Sequence, residues 1–379
     1  MGPQTSFDFI VVGAGMAGVS AGYFLSQHGR VLVLEMESHA GYHTSGRSAA
    51  LFTEAFASPL FCALSTGSKK FLMTPPDRFA QDKIMTPRGA VLVGRADQQA
   101  SLDELYEKTS QISPTIEFLT LDRVLDLVPV LNSEGLAGGV FDQDAMAINV
   151  NELLQGFIRG IRQNGGELRP DEEVLGLSIS GNGWTVTTGK QTYQTEIVVN
   201  AAGAWSDVLA ERAGAAPLGL VPQRRTAILF DAPEEFNVRE WPICMDVDEQ
   251  YYFKPEGGAL MWCLMDQTPM SPCDVQPDEM DIAMTVDRIQ NATTMNIRRI
   301  VKSWAGLRTS VEDQVPVVGF DQTVPGFFWL AGQGGFGIQT APAMGQVAAA
   351  LATRSALPAE FEDLGIDALA MSPKRLQNS

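Results

Sequence analysis

The first ordered stretch of the chain, Phe7 to Glu35, constrains the fold more than any other part of the sequence. An apolar run ends in Gly13, Gly15 and Gly18, an apolar helical segment follows, and a second apolar run ends at Glu35. Strand, glycine-rich turn, helix, strand and acid in this order form the dinucleotide-binding pattern in the context that it requires. The stretch therefore predicts a parallel βαβ unit with a ligand site at its turn.

Each of these residue types has a physical role in such a unit. Gly13 allows the tight turn, Gly15 lets the main chain approach a pyrophosphate, and Gly18 lets the helix pack closely on the strand. The free N–H groups and the dipole at the start of the helix favour phosphate. Glu35 follows Gly13 by 22 residues, close to the spacing of about 20 expected for the acid that binds an adenosine ribose. These features predict an adenine dinucleotide, which from this stretch alone is either NAD or FAD.

Length and charge bound the remaining possibilities. At 379 residues, the chain exceeds the usual size of a single hydrophobic core, which predicts two domains. A formal net charge of −18 argues against nucleic acid and anionic membrane surfaces as partners. The four cysteines show neither CxxC pairs nor metal-ligand spacing, so we expect free thiols in the cytoplasm and no metal site.

Two stretches bear on membrane association. The N-terminus lacks the basic and apolar regions of a secretory signal. Residues 322–353 carry no charge and are long enough to span a bilayer, but they include six glycines and two prolines. Such a composition breaks a spanning helix, so we predict a buried strand (Phe327 to Ala331), a glycine turn and a core helix from about Gln339, with no transmembrane segment.

Later segments indicate that the cofactor domain is discontinuous. Residues 36–56 are rich in Gly, Ser and Thr, which suits main chain that runs along a ligand. A second strand and small-residue turn follow at residues 196–205, whereas residues 217–299 alternate as antiparallel strands do. We therefore predict a cofactor domain from residues 1–80, 140–215 and 300–379, and a substrate domain from residues 81–139 and 216–299.

Several motifs together resemble one flavoprotein family. The glycine pattern near residue 10, GYHTSGRSAA (41–50), VVNAAGAWSD (198–207), WAGLRT (304–309) and AGQGGFGIQT (331–340) are similar to the D-amino acid oxidase/dehydrogenase (DAO) family, above all to its catabolic D-arginine dehydrogenases. The resemblance implies a glutathione-reductase-like, Rossmann-type FAD-binding domain with an inserted α+β substrate domain built on an antiparallel sheet. It also implies non-covalent FAD, with its isoalloxazine ring at the domain junction. The implied reaction converts a D-amino acid to an imino acid, which water hydrolyses to a 2-oxo acid and ammonia.

The resemblance assigns cofactor contacts in three parts of the chain. The pyrophosphate and ribose fall to the first βαβ unit, the flavin to residues 44–50, and the pyrimidine edge of the ring to residues 334–338, with a helix start near Ile338. The assigned cofactor residues are Gly13, Gly15, Ala17, Gly18, Glu35, Met36, Thr44, Ser45, Gly46, Arg47, Ser48, Ala49, Ala50, Leu51, Val174, Gly203, Gln333, Gly334, Gly335, Phe336, Gly337, Ile338 and Gln339.

A substrate carboxylate in a dry pocket needs a cation, and a bidentate guanidinium binds it best. Arg224 and Arg225 are adjacent on a predicted strand, so only one of them faces inward, and the same holds for Tyr251 and Tyr252. The resemblance selects Arg225 and Tyr252 and adds Arg308 as the third catalytic residue. It places eight further residues at the substrate: Leu51, Thr53, Phe56, Ala90, Ile243, Met245, Gly306 and Gly335.

Three of these positions depart from the arginine-oxidising relatives. Ala90 replaces a carboxylate, Leu51 a histidine and Phe56 a tyrosine, so a cationic substrate head would lack a partner at a cost of several kcal/mol. We therefore expect a neutral, mostly apolar side chain. An acidic one stays open, because Arg88 would share the strand face of Ala90.

The three histidines, at positions 28, 39 and 43, lie outside the predicted substrate domain. Hydride transfer from Cα without a histidine base is therefore the expected mechanism. Two other substrate classes, a 2-hydroxy acid or a secondary amine such as sarcosine, fit the same carboxylate site. A non-catalytic flavin-binding redox sensor is the alternative of another class. The sequence leaves the electron acceptor open between oxygen and a quinone-type compound.

Overall fold

The glycine-rich stretch folds into the βαβ unit that its pattern predicts. The computed structural model describes residues 5–377. The first strand lies parallel to the second, and the helix between them begins at Met16. Gly13 has a φ of 102°, a conformation that side-chain-bearing residues rarely adopt. A Cβ on Gly18 would lie 1.8 Å from the carbonyl oxygen of Gly13, so the close approach of helix and turn requires glycine.

The strands and helices of the described residues are numbered separately in chain order. The strands are β1 (Ser6–Val12), β2 (Val31–Leu34), β3 (Leu51–Phe52), β4 (Met85–Pro87), β5 (Ala90–Arg95), β6 (Ile116–Thr120), β7 (Leu136–Asp142), β8 (Met146–Ile148), β9 (Glu167–Arg169), β10 (Val174–Ser180), β11 (Gly183–Thr188), β12 (Thr192–Asn200), β13 (Val221–Asp231), β14 (Ile243–Asp246), β15 (Tyr251–Glu256), β16 (Ala259–Leu264), β17 (Thr268–Pro269), β18 (Ile300–Ser310), β19 (Val317–Phe320) and β20 (Phe327–Ala331). The helices are α1 (Met16–Leu25), α2 (Pro59–Met73), α3 (Gln99–Ser110), α4 (Leu121–Leu127), α5 (Val150–Gln163), α6 (Ser206–Ala213), α7 (Glu279–Ala292), α8 (Ala341–Ala352), α9 (Ala359–Asp363) and α10 (Lys374–Gln377).

The first sheet is the predicted Rossmann-type layer. Its strand order is β10-β11-β12-β1-β2-β9, with β20 beside β12 and β19 beside β20. Strands β1, β2, β9, β12 and β20 are parallel. Because side chains alternate along a strand, Phe9 and Val11 pack under helices α1, α5 and α8, while Ile10 and Val12 enter a second core on the opposite face. Both faces are covered, as a parallel sheet requires.

The second sheet is the predicted substrate sheet. Its order is β17-β13-β16-β15-β14-β5-β7-β6, with β18 beside β13. Its pairs are antiparallel except β5 with β14. Tyr251 and Phe253 point into the core on the outer face of this sheet, and the alternation turns Tyr252 to the other face. Strands β3, β8 and β4 form a third, small sheet.

Two boundaries differ from the sequence prediction. Strand β18 pairs with β13 from Val221 with Ser310 to Phe230 with Ile300, so residues 300–310 lie in the substrate sheet and not in the cofactor domain. The pattern of β18 is local and does not reveal which sheet it joins. Helix α8 begins at Ala341, so Ile338 lies in the preceding turn rather than at the helix start. Pro342 lies in the first turn of α8, which suits a position where an N–H would be unpaired.

Candidate active site

One continuous cavity touches both sheets. At one end it is lined by Gly13, Glu35 and Val174, next to the carboxyl ends of β1 and β2. At the other end it reaches Arg225 and Tyr252 on the inner face of the second sheet. In open parallel sheets, ligands bind outside the carboxyl ends of the strands. The cavity therefore joins the predicted dinucleotide site to the predicted substrate site.

The acid at the end of β2 is held in place by main-chain groups. Glu35 Oε2 accepts a hydrogen bond from the Ala14 N–H at 2.7 Å, and its Oε1 accepts one from the Glu37 N–H at 3.0 Å. Burial raises the pKa of Glu35, and these hydrogen bonds act in the opposite direction. Each carboxylate oxygen retains a lone pair, so the side chain can still bind a ribose hydroxyl at the cavity wall.

The Gly- and Ser-rich segment after β2 wraps along the cavity. Residues Thr44–Arg47 form a short 3₁₀ turn. The Ser45 hydroxyl accepts the Met16 N–H at 2.9 Å, which fastens the segment to the start of α1. The Thr44 hydroxyl donates to the Leu307 carbonyl at 2.6 Å, which fastens it to the substrate sheet. These contacts place main chain against the cavity.

Arg47 fastens the same segment to a distant loop. Its guanidinium donates to Asp274 Oδ1 at 2.6 Å, to the Val275 carbonyl at 3.1 Å and to the Ala305 carbonyl at 3.0 Å. Arg47 still borders the cavity. Its charge is nevertheless matched by Asp274, whose pKa it lowers, so Arg47 joins this segment to the loop at Asp274 and to β18.

Most of the predicted cofactor residues border the cavity. They are Gly13, Gly15, Ala17, Glu35, Met36, Thr44, Ser45, Arg47, Ser48, Ala49, Val174, Gly203, Gln333, Gly334, Gly335, Gly337 and Ile338. Gly18, Gly46, Ala50, Leu51, Phe336 and Gln339 lie behind this lining. Phe336 stacks on Phe61 with ring centroids 4.4 Å apart, and Gln339 Oε1 accepts the Thr53 N–H at 3.2 Å. This second group supports the wall instead of forming it.

Two polar atoms at the cavity fit a dinucleotide. Gln333 Nε2 and Thr309 Oγ1 are buried and have no hydrogen-bond partner among the described residues, and both residues border the cavity. Buried polar groups are paired in the great majority of native structures. A bound flavin nucleotide has many hydrogen-bonding groups that could satisfy them. The glycine cradle, Glu35 and these two side chains together fit FAD.

The sequence pattern missed several residues at the adenylate end. Tyr42, His43, Trp205 and Arg212 also border the cavity. The rings of His43 and Trp205 lie 4.7 Å apart, and Arg212 donates to the Val174 carbonyl. Trp205 follows the small-residue turn after β12, and this turn was the available signal. Tyr42 and His43 belong to the segment 36–56, which the sequence placed along the ligand without singling out these two side chains. Arg212 lies on α6, whose approach to the cavity only the fold determines.

At the substrate end, strand alternation separates the two adjacent arginines. Arg224 Nε lies 2.8 Å from Asp281 Oδ2, on the side away from the cavity. Arg225 faces the cavity. Its Nε and Nη1 atoms are buried and have no hydrogen-bond partner among residues 5–377. Burial, followed by the charge of Arg308, lowers the pKa of Arg225. A guanidinium with two buried nitrogen atoms that lack partners favours an anionic ligand.

Arg308 and Tyr252 complete this end of the cavity. In the register of β13 with β18, Gln223 lies opposite Arg308 and Arg225 lies opposite Gly306, which puts the two arginines on the same face. A Cβ on Gly335 would lie 3.1 Å from Arg308 Nη1, so a side chain at position 335 would crowd the guanidinium. Tyr252 is 9% exposed, and burial raises its pKa above the usual 10.0. Its hydroxyl is therefore a hydrogen-bond donor.

The predicted apolar substrate residues form one cluster beside this cavity. Ala90 and Ile243 are buried with Ala145, and Leu51, Phe56 and Met245 pack against them. Met245 lies opposite Tyr252 in the β14–β15 register, so the cluster adjoins the arginine end. Its side chains fill one another's space and, unlike Gly306 and Gly335, lie outside the cavity lining.

A buried carboxyl that the sequence did not suggest lies next to this cluster. Asp142 is opposite Ala90 in the β5–β7 register, and burial raises its pKa. Its Oδ2 accepts the Thr53 hydroxyl at 2.9 Å, and its Oδ1 accepts the Asp144 N–H at 3.0 Å. Predicted substrate residue Thr53 therefore connects β3 to the substrate sheet. Asp142 is already hydrogen-bonded and is a poor counterion for a substrate.

Arg88 does not share the strand face of Ala90. Gly89 has a φ of 73° and breaks the alternation before β5 begins. The Arg88 guanidinium instead donates to the Arg239 carbonyl at 2.6 Å. Arg88 therefore cannot serve as the counterion that an acidic substrate side chain would need beside Ala90.

Three further residues, which the sequence did not indicate, border the arginine end of the cavity. Ala227, Met261 and Cys263 line the cavity with Tyr252 and form a compact apolar cluster with it. All of them lie on β13, β15 or β16. Their positions follow from strand register, which a single sequence does not specify.

Comparisons with known proteins agree with this geometry. A family model described as FAD dependent oxidoreductase (DAO) matches residues 8–351. The chain belongs to this family. Glycine oxidase of Geobacillus kaustophilus (strain HTA426) is 25% identical over 92% of this chain and 93% of its own. The predicted family is confirmed, and its cofactor is FAD, which decides between the two dinucleotides.

Solved structures share the fold. The crystal structure of glycine oxidase from Geobacillus kaustophilus has a TM-score of 0.80 at 23% identity, covering 94% of this chain and 98% of that one. Reduced L-α-glycerophosphate oxidase from Mycoplasma pneumoniae, solved with FAD bound, has a TM-score of 0.82 at 19% identity. The match covers 92% of this chain and 95% of that one. The predicted fold class is confirmed. Within residues 5–377, none of the helices is long and apolar enough to cross a membrane.

Proposed function

We propose that this FAD-dependent oxidoreductase oxidises the Cα–N bond of a D-amino acid with a neutral side chain. The observation that carries the proposal is the guanidinium of Arg225, whose buried Nε and Nη1 atoms have no hydrogen-bond partner among the described residues. It lies beside Arg308 and Tyr252 in the cavity that also holds the glycine cradle. A free α-carboxylate is the anion that this arrangement suits. The product would be an imino acid, which water hydrolyses to a 2-oxo acid and ammonia.

The residues of the chain orient the substrate. Arg225 and Arg308 bind the carboxylate through charge-assisted hydrogen bonds, and the Tyr252 hydroxyl donates a further one. When bound, FAD supplies the acceptor for the hydride that leaves Cα. Burial raises the pKa of both Tyr252 and Cys263, so both stay protonated at neutral pH and neither is available as a base. The substrate amine therefore reacts in its neutral form, after its proton has passed to water.

A neutral substrate side chain is favoured by the surroundings of Tyr252. Ala227, Met261 and Cys263 line this end of the cavity and form an apolar cluster with Tyr252, so a cationic head would lack a partner there at a cost of several kcal/mol. We expect kcat/KM for D-methionine, D-leucine or D-phenylalanine to exceed that for D-arginine by at least about a hundredfold, which corresponds to about 3 kcal/mol. Steady-state kinetics on the four substrates provide the measurement. A preference for D-arginine would contradict this part of the proposal.

The reaction class is tested by anaerobic flavin reduction. We expect D-amino acids to bleach the visible flavin absorbance rapidly, and L-amino acids and 2-hydroxy acids to do so far more slowly. Single-turnover rates measure the chemistry independently of the electron acceptor. If L-amino acids or 2-hydroxy acids reduced the flavin faster, the proposed configuration or reaction would be wrong.

A small amine is the second candidate substrate. The apolar cluster of Leu51, Phe56, Ala90, Ile243 and Met245 packs on itself instead of opening to the cavity, which favours a substrate with little or no side chain. Similarity to glycine oxidase points in the same direction. Glycine and sarcosine therefore belong in the same flavin-reduction series, and reduction by them alone would favour this candidate.

Tyr252 gives the proposal a pH signature. Since burial raises its pKa, the donor form persists from about pH 7 to about pH 10. We expect the Kd of a carboxylate inhibitor to show no Tyr252 titration in this range, and Tyr252→Phe to raise that Kd by about tenfold, because a hydrogen bond to a charged group contributes about 1.5–3 kcal/mol. Spectral titration of the bound flavin measures both. A rise in Kd above about pH 8 that Tyr252→Phe abolishes would show that Tyr252 ionises early.

The electron acceptor and the compartment complete the proposal. We propose oxygen or a quinone-type compound as the acceptor, which stopped-flow reoxidation of the reduced enzyme with each of them distinguishes. We also propose the cytoplasm as the compartment. The support is that Cys62, Cys244, Cys263 and Cys273 are all free thiols.

A further inference from the structure

We propose that Cys263 is part of the carboxylate-binding pocket and is a covalent modification site for small carboxylic acids with an electrophilic α-carbon. The inference rests on the proposed carboxylate site and adds to it a reactive side chain and a class of ligand. It requires no turnover, so it can be tested separately from the oxidation itself.

Strand register places this thiol beside the proposed catalytic residues. Cys263 lies directly opposite Tyr252 on one side and opposite Ala227 on the other. Directly opposed residues point to the same face of a sheet, and here that face is the one with Arg225. All four residues border the same cavity. Cys263 therefore faces the bound ligand although it is only 1% exposed.

The other three cysteines differ in their surroundings. Cys62 and Cys244 are buried and Cys273 is partly exposed, and all three lie outside the lining of this cavity. Cys62 lies on α2, and Cys244 packs in the outer core of the substrate sheet. They are internal references for any reaction that depends on the arginines.

The electrostatics of the pocket control the reactivity of Cys263. Burial raises the pKa of the thiol, while Arg308 and Arg225 act to lower it. Both a neutral and an anionic alkylating agent meet the same, mostly protonated thiol, and the neutral one gains nothing further from the pocket. An anionic agent is concentrated by the two guanidiniums, and Arg225 has two buried nitrogen atoms with no partner among the described residues. The carboxylate therefore selects the reagent and holds it near the sulfur.

The reaction is a simple displacement. With iodoacetate, the Cys263 sulfur forms a bond to the methylene carbon, the carbon–iodine bond breaks, iodide leaves and the thiol proton passes to the buffer. The product is S-carboxymethyl cysteine, with its carboxylate at the arginines. There is no change in flavin oxidation state.

The test compares iodoacetate with iodoacetamide, which has the same reacting carbon and no charge. The holoenzyme is treated with each reagent near pH 8.5, roughly the ordinary pKa of a thiol, and labelling of each cysteine is followed by peptide mass spectrometry. In free solution the amide is the faster reagent. We expect Cys263 to react at least about tenfold faster with iodoacetate, an advantage of about 1.4 kcal/mol, and Cys273 to prefer iodoacetamide.

Two controls identify the source of the preference. A saturating unreactive carboxylate, propionate, should slow labelling of Cys263 by iodoacetate and leave that of Cys273 unchanged. Arg225→Met should remove the preference at Cys263. The propionate control uses the unaltered enzyme, so it remains decisive even if Arg225→Met folds poorly.

The inference is overturned if Cys263 reacts no faster with iodoacetate than with iodoacetamide, or if propionate gives no protection. If propionate protects Cys263 but the enzyme oxidises no amino acid, Cys263 lies in an anion-binding pocket and the proposed oxidation is wrong. If the enzyme oxidises amino acids but propionate does not protect Cys263, only the proposed role of Cys263 is wrong.

Discussion

Arg225→Met should lower kcat/KM by at least about a hundredfold. A hydrogen bond to a charged group contributes about 1.5–3 kcal/mol, and this variant loses a bidentate interaction of that kind. Each 1.36 kcal/mol changes the rate about tenfold. The fold should not lose stability, because the pKa of Arg225 is lowered by burial and by Arg308, and removal of a disfavoured buried charge relieves the native state. Steady-state kinetics and thermal unfolding measure the two effects.

Arg224→Met is the matched control on the same strand. Arg224 faces away from the cavity and lies between Asp266, Asp278 and Asp281. Its removal leaves buried carboxylates unpaired, so unfolding should occur at a lower temperature, since breaking a buried pair costs about 3–5 kcal/mol. The fraction that folds should retain nearly normal kcat/KM. Equal kinetic losses in both variants would show that Arg225 acts through the fold and not through the substrate.

Gly18→Ala should destabilise the protein and prevent stable FAD binding. The added Cβ would lie 1.8 Å from the Gly13 carbonyl oxygen, and both groups belong to the main chain of the glycine turn. Neither can move aside as a flexible side chain would. Overpacking typically costs about 1–3 kcal/mol, and we expect at least the upper value here. Thermal unfolding and the ratio of visible flavin absorbance to protein absorbance provide the measurements.

Gly15→Ala separates cofactor binding from folding. Gly15 has extended geometry, with φ −69° and ψ 177°, which alanine adopts readily. Its added Cβ would meet only Ser45 Oγ, at 3.5 Å. The stability of the apoprotein should therefore change by less than about 0.5 kcal/mol, whereas FAD affinity should fall because the methyl group occupies the cavity. Undiminished FAD affinity would place the pyrophosphate away from Gly15.

A third glycine controls for the substitution itself. Gly189→Ala places a Cβ 3.9 Å from Leu175 Cδ1, an ordinary contact. We expect normal flavin content and unfolding from this variant. If it lost flavin as Gly18→Ala does, the effect would belong to glycine replacement in general.

Local patterns predicted that the members of two adjacent residue pairs lie on opposite faces, because strand geometry repeats along the chain. The resemblance then selected which member of each pair faces the substrate. The period of two in a strand separated Arg225 from Arg224 and Tyr252 from Tyr251, and the structure places these pairs on opposite faces of the sheet. The strand at Phe327–Ala331 has the predicted bounds. Such features need only the sequence, because neighbouring residues determine them.

The sequence could not predict which distant strands pair or in which register. The placement of β18 beside β13, the position of Cys263 opposite Tyr252 and the carboxyl of Asp142 opposite Ala90 all depend on register. The pattern of alternation is the same for every register that differs by two residues. The apolar residues around Ala90 lie in one cluster, but the sequence could not indicate that they would pack on one another beside the cavity.

The sequence by itself determined the βαβ unit, the acid at Glu35 and the family, since glycine conformations and strand periods are local properties. The tertiary structure decided what the polar side chains contact. Arg47 joins two domains through Asp274, whereas Arg225 is buried beside Arg308 with unpaired nitrogen atoms among the described residues. Both are arginines in segments assigned to the active site. Only the packing of the two sheets determines which arginine is already paired with a carboxylate of the protein and which can pair with a ligand.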